Sequence, residues 1–113
     1  MSLIVQKYGG TSVGNLERIE NVAEKVIDWH QRGHQVVVVV SAMSGETDRL
    51  LGLAKSINSR PNPRELDVLL ATGEQVTIAL LCIALEKRGC PARSYTGGQV
   101  PILTDDAFNK ARI

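Results

Sequence analysis

The stretch Gln35-Val36-Val37-Val38-Val39-Val40-Ser41-Ala42-Met43-Ser44-Gly45 decides the fold. Five consecutive valines show no alternation of apolar and polar residues, so the strand they predict spares no face for water. Such strands belong inside parallel sheets covered by helices on both sides. Upstream, Leu3-Ile4-Val5-Gln6 predicts another buried strand, ending at Lys7 and broken by Gly9-Gly10. Between the two, Leu16, Ile19, Val22, Ala23, Val26 and Ile27 recur at three- and four-residue steps, which predicts a helix over residues 15–32. Asn15 is its expected N-cap and Gly33 its stop. Strand, helix, strand is a βαβ unit, with a right-handed crossover expected.

Downstream of the valines, a helix is predicted over residues 46–57, burying Leu50, Leu51, Leu53 and Ala54. A polar, proline-containing loop follows at 58–63. A helical stretch then runs over 64–88, and its Thr72-Gly73 pair is expected to split or kink it, since Gly costs about 1 kcal/mol relative to Ala. Short strands are predicted at 92–96 and 100–104, around the turn at Gly97-Gly98. This order predicts a three-layer α/β/α fold with a mostly parallel sheet.

The chain has 113 residues, the size of one domain. It is 43% hydrophobic and 22% charged, with 13 basic against 12 acidic residues. No basic arm or stripe marks a nucleic-acid partner. No secretory leader is read at the N-terminus, and no apolar run is read as a membrane span. Cys82 and Cys90 lack a Cys-x-x-Cys spacing and a His to join them, so they are read as free thiols of a cytoplasmic protein, without a metal site. His30 and His34, flanking Gly33, are expected to be exposed or to cap the helix.

In an open parallel sheet, ligands bind beyond the carboxyl ends of the strands. There stands Lys7-Tyr8-Gly9-Gly10-Thr11-Ser12. The glycines allow close backbone approach and positive φ, their N–H groups can cradle an anion, and Lys7 adds charge. The pattern is neither Gly-x4-Gly-Lys-Ser/Thr nor Gly-x-Gly-x-x-Gly, and read alone it is equally a tight turn with a surface lysine. After the valines, Ser44 and Thr47 are candidate helix caps at a helix start that also suits an anion. Glu74, amid Leu69, Leu70, Val76 and Ile78, calls for a cation: an Arg of the protein or a ligand ammonium. Tyr95-Thr96-Gly97-Gly98-Gln99 is read as a turn near the same rim.

Taken in order, Val5-Gln6-Lys7-Tyr8-Gly9-Gly10-Thr11-Ser12, Val40-Ser41-Ala42-Met43 with Thr47-Asp48, Thr72-Gly73-Glu74 and Tyr95-Thr96-Gly97 make the chain resemble the aspartate kinases of the amino-acid kinase superfamily. The resemblance implies transfer of a phosphoryl group from ATP to the β-carboxylate of L-aspartate, with Mg²⁺ bridging the ATP phosphates. It implies that Lys7 contacts the transferring group, that Gly9 and Gly10, with Tyr8 in the same stretch, meet ATP, and that Ser41 lies by the phosphoryl site. Thr47 and Glu74, with Ser41, would bind aspartate. It further implies a cytoplasmic homo-oligomer acting in lysine, threonine and methionine synthesis. Residues 1–113 would then be the N-terminal portion of the kinase domain, inactive alone, without the rest of that domain or the regulatory ACT domains. The alternatives are another enzyme of the superfamily, acting on glutamate, acetylglutamate or a nucleoside monophosphate, and a non-catalytic half-domain that serves assembly through its apolar helix.

Overall fold

The computed structural model describes residues 2–100. The valine run forms β2 (Gln35–Val40), which pairs in parallel with β1 (Leu3–Tyr8) from Leu3 opposite Gln35 to Tyr8 opposite Val40. β1 is longer than its apolar run because Lys7 and Tyr8 continue the ladder. These two strands are the sheet among the described residues. Burial alternates along both. Tyr8, Val36, Val38 and Val40 pack on the core, whereas Leu3, Val5, Val37 and Val39 are exposed. The expectation of helices on both faces is therefore met on one face only within the described residues.

Between the strands, a 3₁₀ turn (Gly10–Val13) leads to α1 (Leu16–Gln31). Asn15 caps α1 as predicted, its Oδ1 accepting the Arg18 N–H at 2.9 Å. Gly33 ends the helix at φ +91°, a conformation that glycine takes without a Cβ penalty. α1 buries Ile19, Val22, Ala23 and Val26.

The next helix, α2 (Glu46–Ile57), has the predicted bounds but not the predicted cap. Neither Ser44 nor Thr47 caps it; its N-cap is Gly45 at φ +79°, and Glu46 pairs with Arg49 one turn on. Leu50 is buried, but Leu53 is exposed, because α2 lays only a narrow stripe on its neighbour.

α3 (Pro63–Lys87) starts one residue before its predicted first residue, with Pro63 in the first turn. Asn62 caps it, Oδ1 accepting from the N–H groups of Arg64 and Glu65. It runs unbroken through Thr72-Gly73, against the predicted split. Gly73, Thr77, Leu81, Ala84 and Leu85 form one buried stripe at helical spacing, and that stripe outweighs the local cost of a glycine. The buried Thr77 hydroxyl is satisfied by donating to the Gly73 carbonyl at 3.2 Å.

The core gathers Val13, Ile19, Val22, Ala23, Val26, Val40, Leu81, Ala84 and Leu85 into one cluster under the sheet. Glu20 of α1 ties the end of α3 through Lys87 at 3.2 Å and Arg88 at 3.4 Å. Contrary to the sequence reading, α3 is long and apolar enough by composition to cross a membrane, with a mean hydropathy of 2.0. Here it serves as the core helix, its buried stripe turned to α1 and β2. Val68, Val76 and Ile83 on its other sides are exposed.

Residues 92–96 form no strand, contrary to expectation. They lead into a turn closed by Gln99 N–H donating to the Thr96 carbonyl at 3.0 Å. Of the strand predicted at 100–104, all but Val100 lies outside the described residues, as does the tail 105–113. Cys82 and Cys90 are free thiols. Burial and the Glu86 carboxylate push the Cys82 thiol above the usual range. His30 is exposed, but His34 is half-buried, its ring tilted against Trp29 at 5.5 Å.

Candidate active site

The end of each strand runs into a loop, and the two loops meet at Ala42. An added Cβ on Gly10 would stand 3.2 Å from the Ala42 carbonyl oxygen, and one on Gly73 would stand 2.9 Å from the Ala42 Cβ. Three elements thus converge on one small buried residue, Gly10 against its carbonyl and Gly73 against its methyl. The Ser41 N–H donates to the Tyr8 carbonyl at 3.2 Å, carrying the strand pairing one residue past β2. The junction places the turn after β1, the loop after β2 and the middle of α3 around a cavity of about 360 Å³. That volume suits a small organic ligand.

The cavity takes Gly10 and Thr11 from the first loop, Ser41, Met43 and Ser44 from the second, Thr47 and Asp48 from the start of α2, and Glu74 from α3. Of the residues singled out in the sequence, it brings together Gly10, Ser41, Thr47 and Glu74. Asp48, quoted beside Thr47 without a role, also lines it. Glu74 is exposed rather than sunk among Leu69, Leu70, Val76 and Ile78, and it has no ion-pair partner among the described residues. Two carboxylates and four hydroxyls, with no lining cation among the described residues, favour the ammonium end of a ligand.

Lys7, Tyr8 and Gly9 do not line this cavity. Lys7 lies on the uncovered face of β1, where its ammonium is exposed. Tyr8 points the other way, into the covered face, where its hydroxyl donates to Gln6 Oε1 at 3.0 Å. Burial raises the Tyr8 pKa above that of a free phenol. Its place in the core assigns it packing before ligand contact. Gly9 and Gly10 do not use positive φ, contrary to expectation; Gly9 sits at φ −76° and ψ 174°. Gly10 is required by its contact with Ala42, whereas a Cβ on Gly9 would meet nothing within 4 Å. The Tyr95–Gln99 turn, read as part of the same rim, contributes nothing to the cavity. Among the described residues, no group of three or more His, Cys, Asp or Glu could hold a metal ion.

Comparison with known proteins gives this geometry a context. The amino acid kinase family model matches residues 2–112. An aspartokinase of Pseudomonas aeruginosa is 70% identical over the whole chain, which spans 27% of that protein. Aspartokinase 2 of Bacillus subtilis is 58% identical over the same residues, 28% of its length. The chain therefore spans about a quarter of the curated relatives it matches. Among solved structures, aspartate kinase from Synechocystis superposes with a TM-score of 0.80 at 55% identity, over 82% of this chain and 16% of that one. E. coli aspartokinase III in complex with aspartate and ADP superposes at 0.83 over 96% of this chain and 34% of that one; at 21% identity this is a likeness of fold. With a truncated α/β fold shared by solved kinases and a family model spanning nearly every residue, the chain belongs to the amino acid kinase family.

Proposed function

We propose that this chain supplies the acceptor side of an aspartate kinase site, where the γ-phosphoryl group of ATP passes to the β-carboxylate of L-aspartate, giving ADP and 4-phospho-L-aspartate. One observation carries the reading: a single cavity gathers Ser41, Thr47 and Glu74 from three separate elements, with Gly10 as its wall. Glu74 would take the substrate ammonium, and Ser41 and Thr47 would donate to its carboxylates. The β-carboxylate is already an anion, so the reaction needs no strong base to create its nucleophile. What it needs is alignment and positive charge against the phosphoryl oxygens. Lys7, at the end of β1 and without a carboxylate partner among the described residues, is the cation this reading assigns to that task. Gly9, whose missing side chain nothing among the described residues explains, is assigned to close approach by ATP, with Gly10 beside it. Tyr8 would hold the strand end beneath them. Mg²⁺ would arrive on the ATP phosphates, since the described residues offer no acidic cluster of their own.

On this reading residues 1–113 are the N-terminal portion of a kinase domain and do not turn over alone, which the 27% span of the Pseudomonas relative supports. Cytoplasmic residence, a homo-oligomer covering the exposed apolar positions of α3, and a place in lysine, threonine and methionine synthesis belong to the same proposal. The test uses an enzyme that carries this chain at the length of its relatives, assayed with ATP and aspartate, glutamate or UMP. Aspartate alone should be phosphorylated. Glu74→Gln should raise the KM for aspartate at least tenfold and leave that for ATP within twofold. Turnover with glutamate or UMP in place of aspartate overturns the substrate assignment. Aspartate-dependent ADP release by the 113 residues overturns their inactivity.

A further inference from the structure

Arg18 does something that its sequence position does not announce. Its guanidinium donates from Nη1 to the Thr11 carbonyl at 3.0 Å. Among the described residues no other side chain hydrogen-bonds to the Gly10–Val13 turn, and Gly9 before it provides no side-chain cap. The turn's backbone bonds to the flanking residues are Ser12 N–H to Gly9 at 3.0 Å, and Gly14 N–H to the same Thr11 carbonyl at 3.3 Å, long for its kind. Arg18 also has no carboxylate at ion-pair distance among the described residues. It borders a second cavity of about 130 Å³ that contains Lys25 and no acid. The carbonyl is the acceptor left to it.

The turn packs close to the second loop and buries Val13 fully in the core. Towards the second loop it is blocked: a Cβ on Gly10 would already stand 3.2 Å from the Ala42 carbonyl, and one on Gly14 3.3 Å from the Ser44 Cβ. Away from that loop, the buried Val13 anchors its end, and the bond to Arg18 is the side-chain tie on its middle. Arg18 itself is carried in the first turn of α1. A charge-assisted bond to a carbonyl is stronger than a neutral one, which suits a single tie. We infer that Arg18 is a positioning residue: through the Thr11 carbonyl it presses the Gly10–Val13 turn against Ala42 and so sets where that turn meets substrate. The inference rests on the proposed function for its catalytic consequence, but not for the contact itself.

Two measurements separate these. In the 113-residue chain, Arg18→Met keeps the length of the side chain and removes its donors. Amide exchange at Ser12 and Gly14 should quicken at least tenfold while the amides of α1 keep their protection; Arg18→Lys should fall between. In the enzyme of full relative length, Arg18→Met should raise the KM for ATP at least tenfold and that for aspartate less than threefold, with partial recovery in Arg18→Lys. Asn15→Ala, which weakens the α1 cap and leaves the guanidinium, should lower Tm without that split. Unchanged exchange, or an ATP KM that stays put in an active enzyme, overturns the inference, as does an Asn15→Ala enzyme with the same KM split. A wild-type enzyme that does not phosphorylate aspartate overturns the proposed function instead, and the exchange arm then decides alone whether Arg18 holds the turn.

Discussion

α3 is joined to the rest of the molecule in two places, and the joints are made in opposite ways. Near its C-terminus, Leu81, Ala84 and Leu85 share a core cluster with Ile19, Val22, Ala23 and Val26 of α1, and the contact is made of side-chain volume. At Gly73 the contact is made by leaving volume out, so that the helix backbone rests on the Ala42 methyl. The first joint stabilises by removing apolar area from water. The second brings the Glu74 carboxylate to the edge of the cavity that Ser41 also lines. Removing atoms should damage the first joint, and adding atoms the second.

Ile19→Ala tests the first joint and carries the largest expected effect. Ile19 is 2% exposed, so the truncation should cost about 2–5 kcal/mol, read from a urea unfolding midpoint at constant slope. A loss well under that range would mean that volume is not what holds the helices together. Gly73→Ala tests the second joint. Helix propensity favours the alanine by about 1 kcal/mol. A Cβ at 2.9 Å from another Cβ opposes it, and overpacking costs about 1–3 kcal/mol. A net destabilisation of about 1 kcal/mol is expected from the two together. A stabilised variant would break the comparison outright. Gly9→Ala sharpens it, because Gly9 precedes Gly10 in the same loop and an added Cβ there would meet nothing within 4 Å among the described residues. Its stability should stay within about 0.5 kcal/mol of the parent, while the KM for ATP rises severalfold if ATP passes there.

The smallest effect concerns the ion pairs that lock the volume-built joint. Hydrogen bonding to Lys87, then the charges of Lys87 and Arg88, hold the Glu20 carboxyl below the usual carboxylate range. A depressed folded pKa contributes stability that is present above the unfolded value and lost as pH falls through the folded one. Glu20→Gln should therefore lower Tm slightly at neutral pH and low salt, and not at all in strong acid. Because Glu20 is exposed, about 1 M salt should erase the difference.

The sequence made the outer elements of this fold legible and left its joints obscure. The α1 stripe, its Asn15 cap and its Gly33 stop are local patterns, and they are found where they were read, except that Leu16 at the start of the stripe is exposed. The unbroken α3 was missed because Gly73 was weighed by its own helix cost, whereas the stripe from Gly73 to Leu85 is what decides. The run of five valines predicted two covered faces, but how many faces are covered depends on what else reaches the sheet. Residues 92–96 read as a strand, yet a strand needs a neighbour, which no local pattern supplies. At the site, Gly10, Ser41, Thr47 and Glu74 were legible as separate loaded positions. That Ala42 joins them could not be read, since a small apolar residue carries no chemical signal. Arg18 was hidden for the same reason, as one cation on a helix with several.

The contact at Ala42 has a consequence for anyone who would rebuild this protein. Positions 42 and 73 behave as a single choice of size, while position 10 faces the Ala42 carbonyl and has no side chain opposite it to shrink. A larger residue at 42 or 73 must be matched by an opening in the other, and 73 already carries hydrogen alone. A library that varies the three independently would spend nearly all its members on collisions. One that treats them as a fixed insert, and diversifies Thr47, Asp48 and Glu74 around it, would explore ligand chemistry on an intact frame.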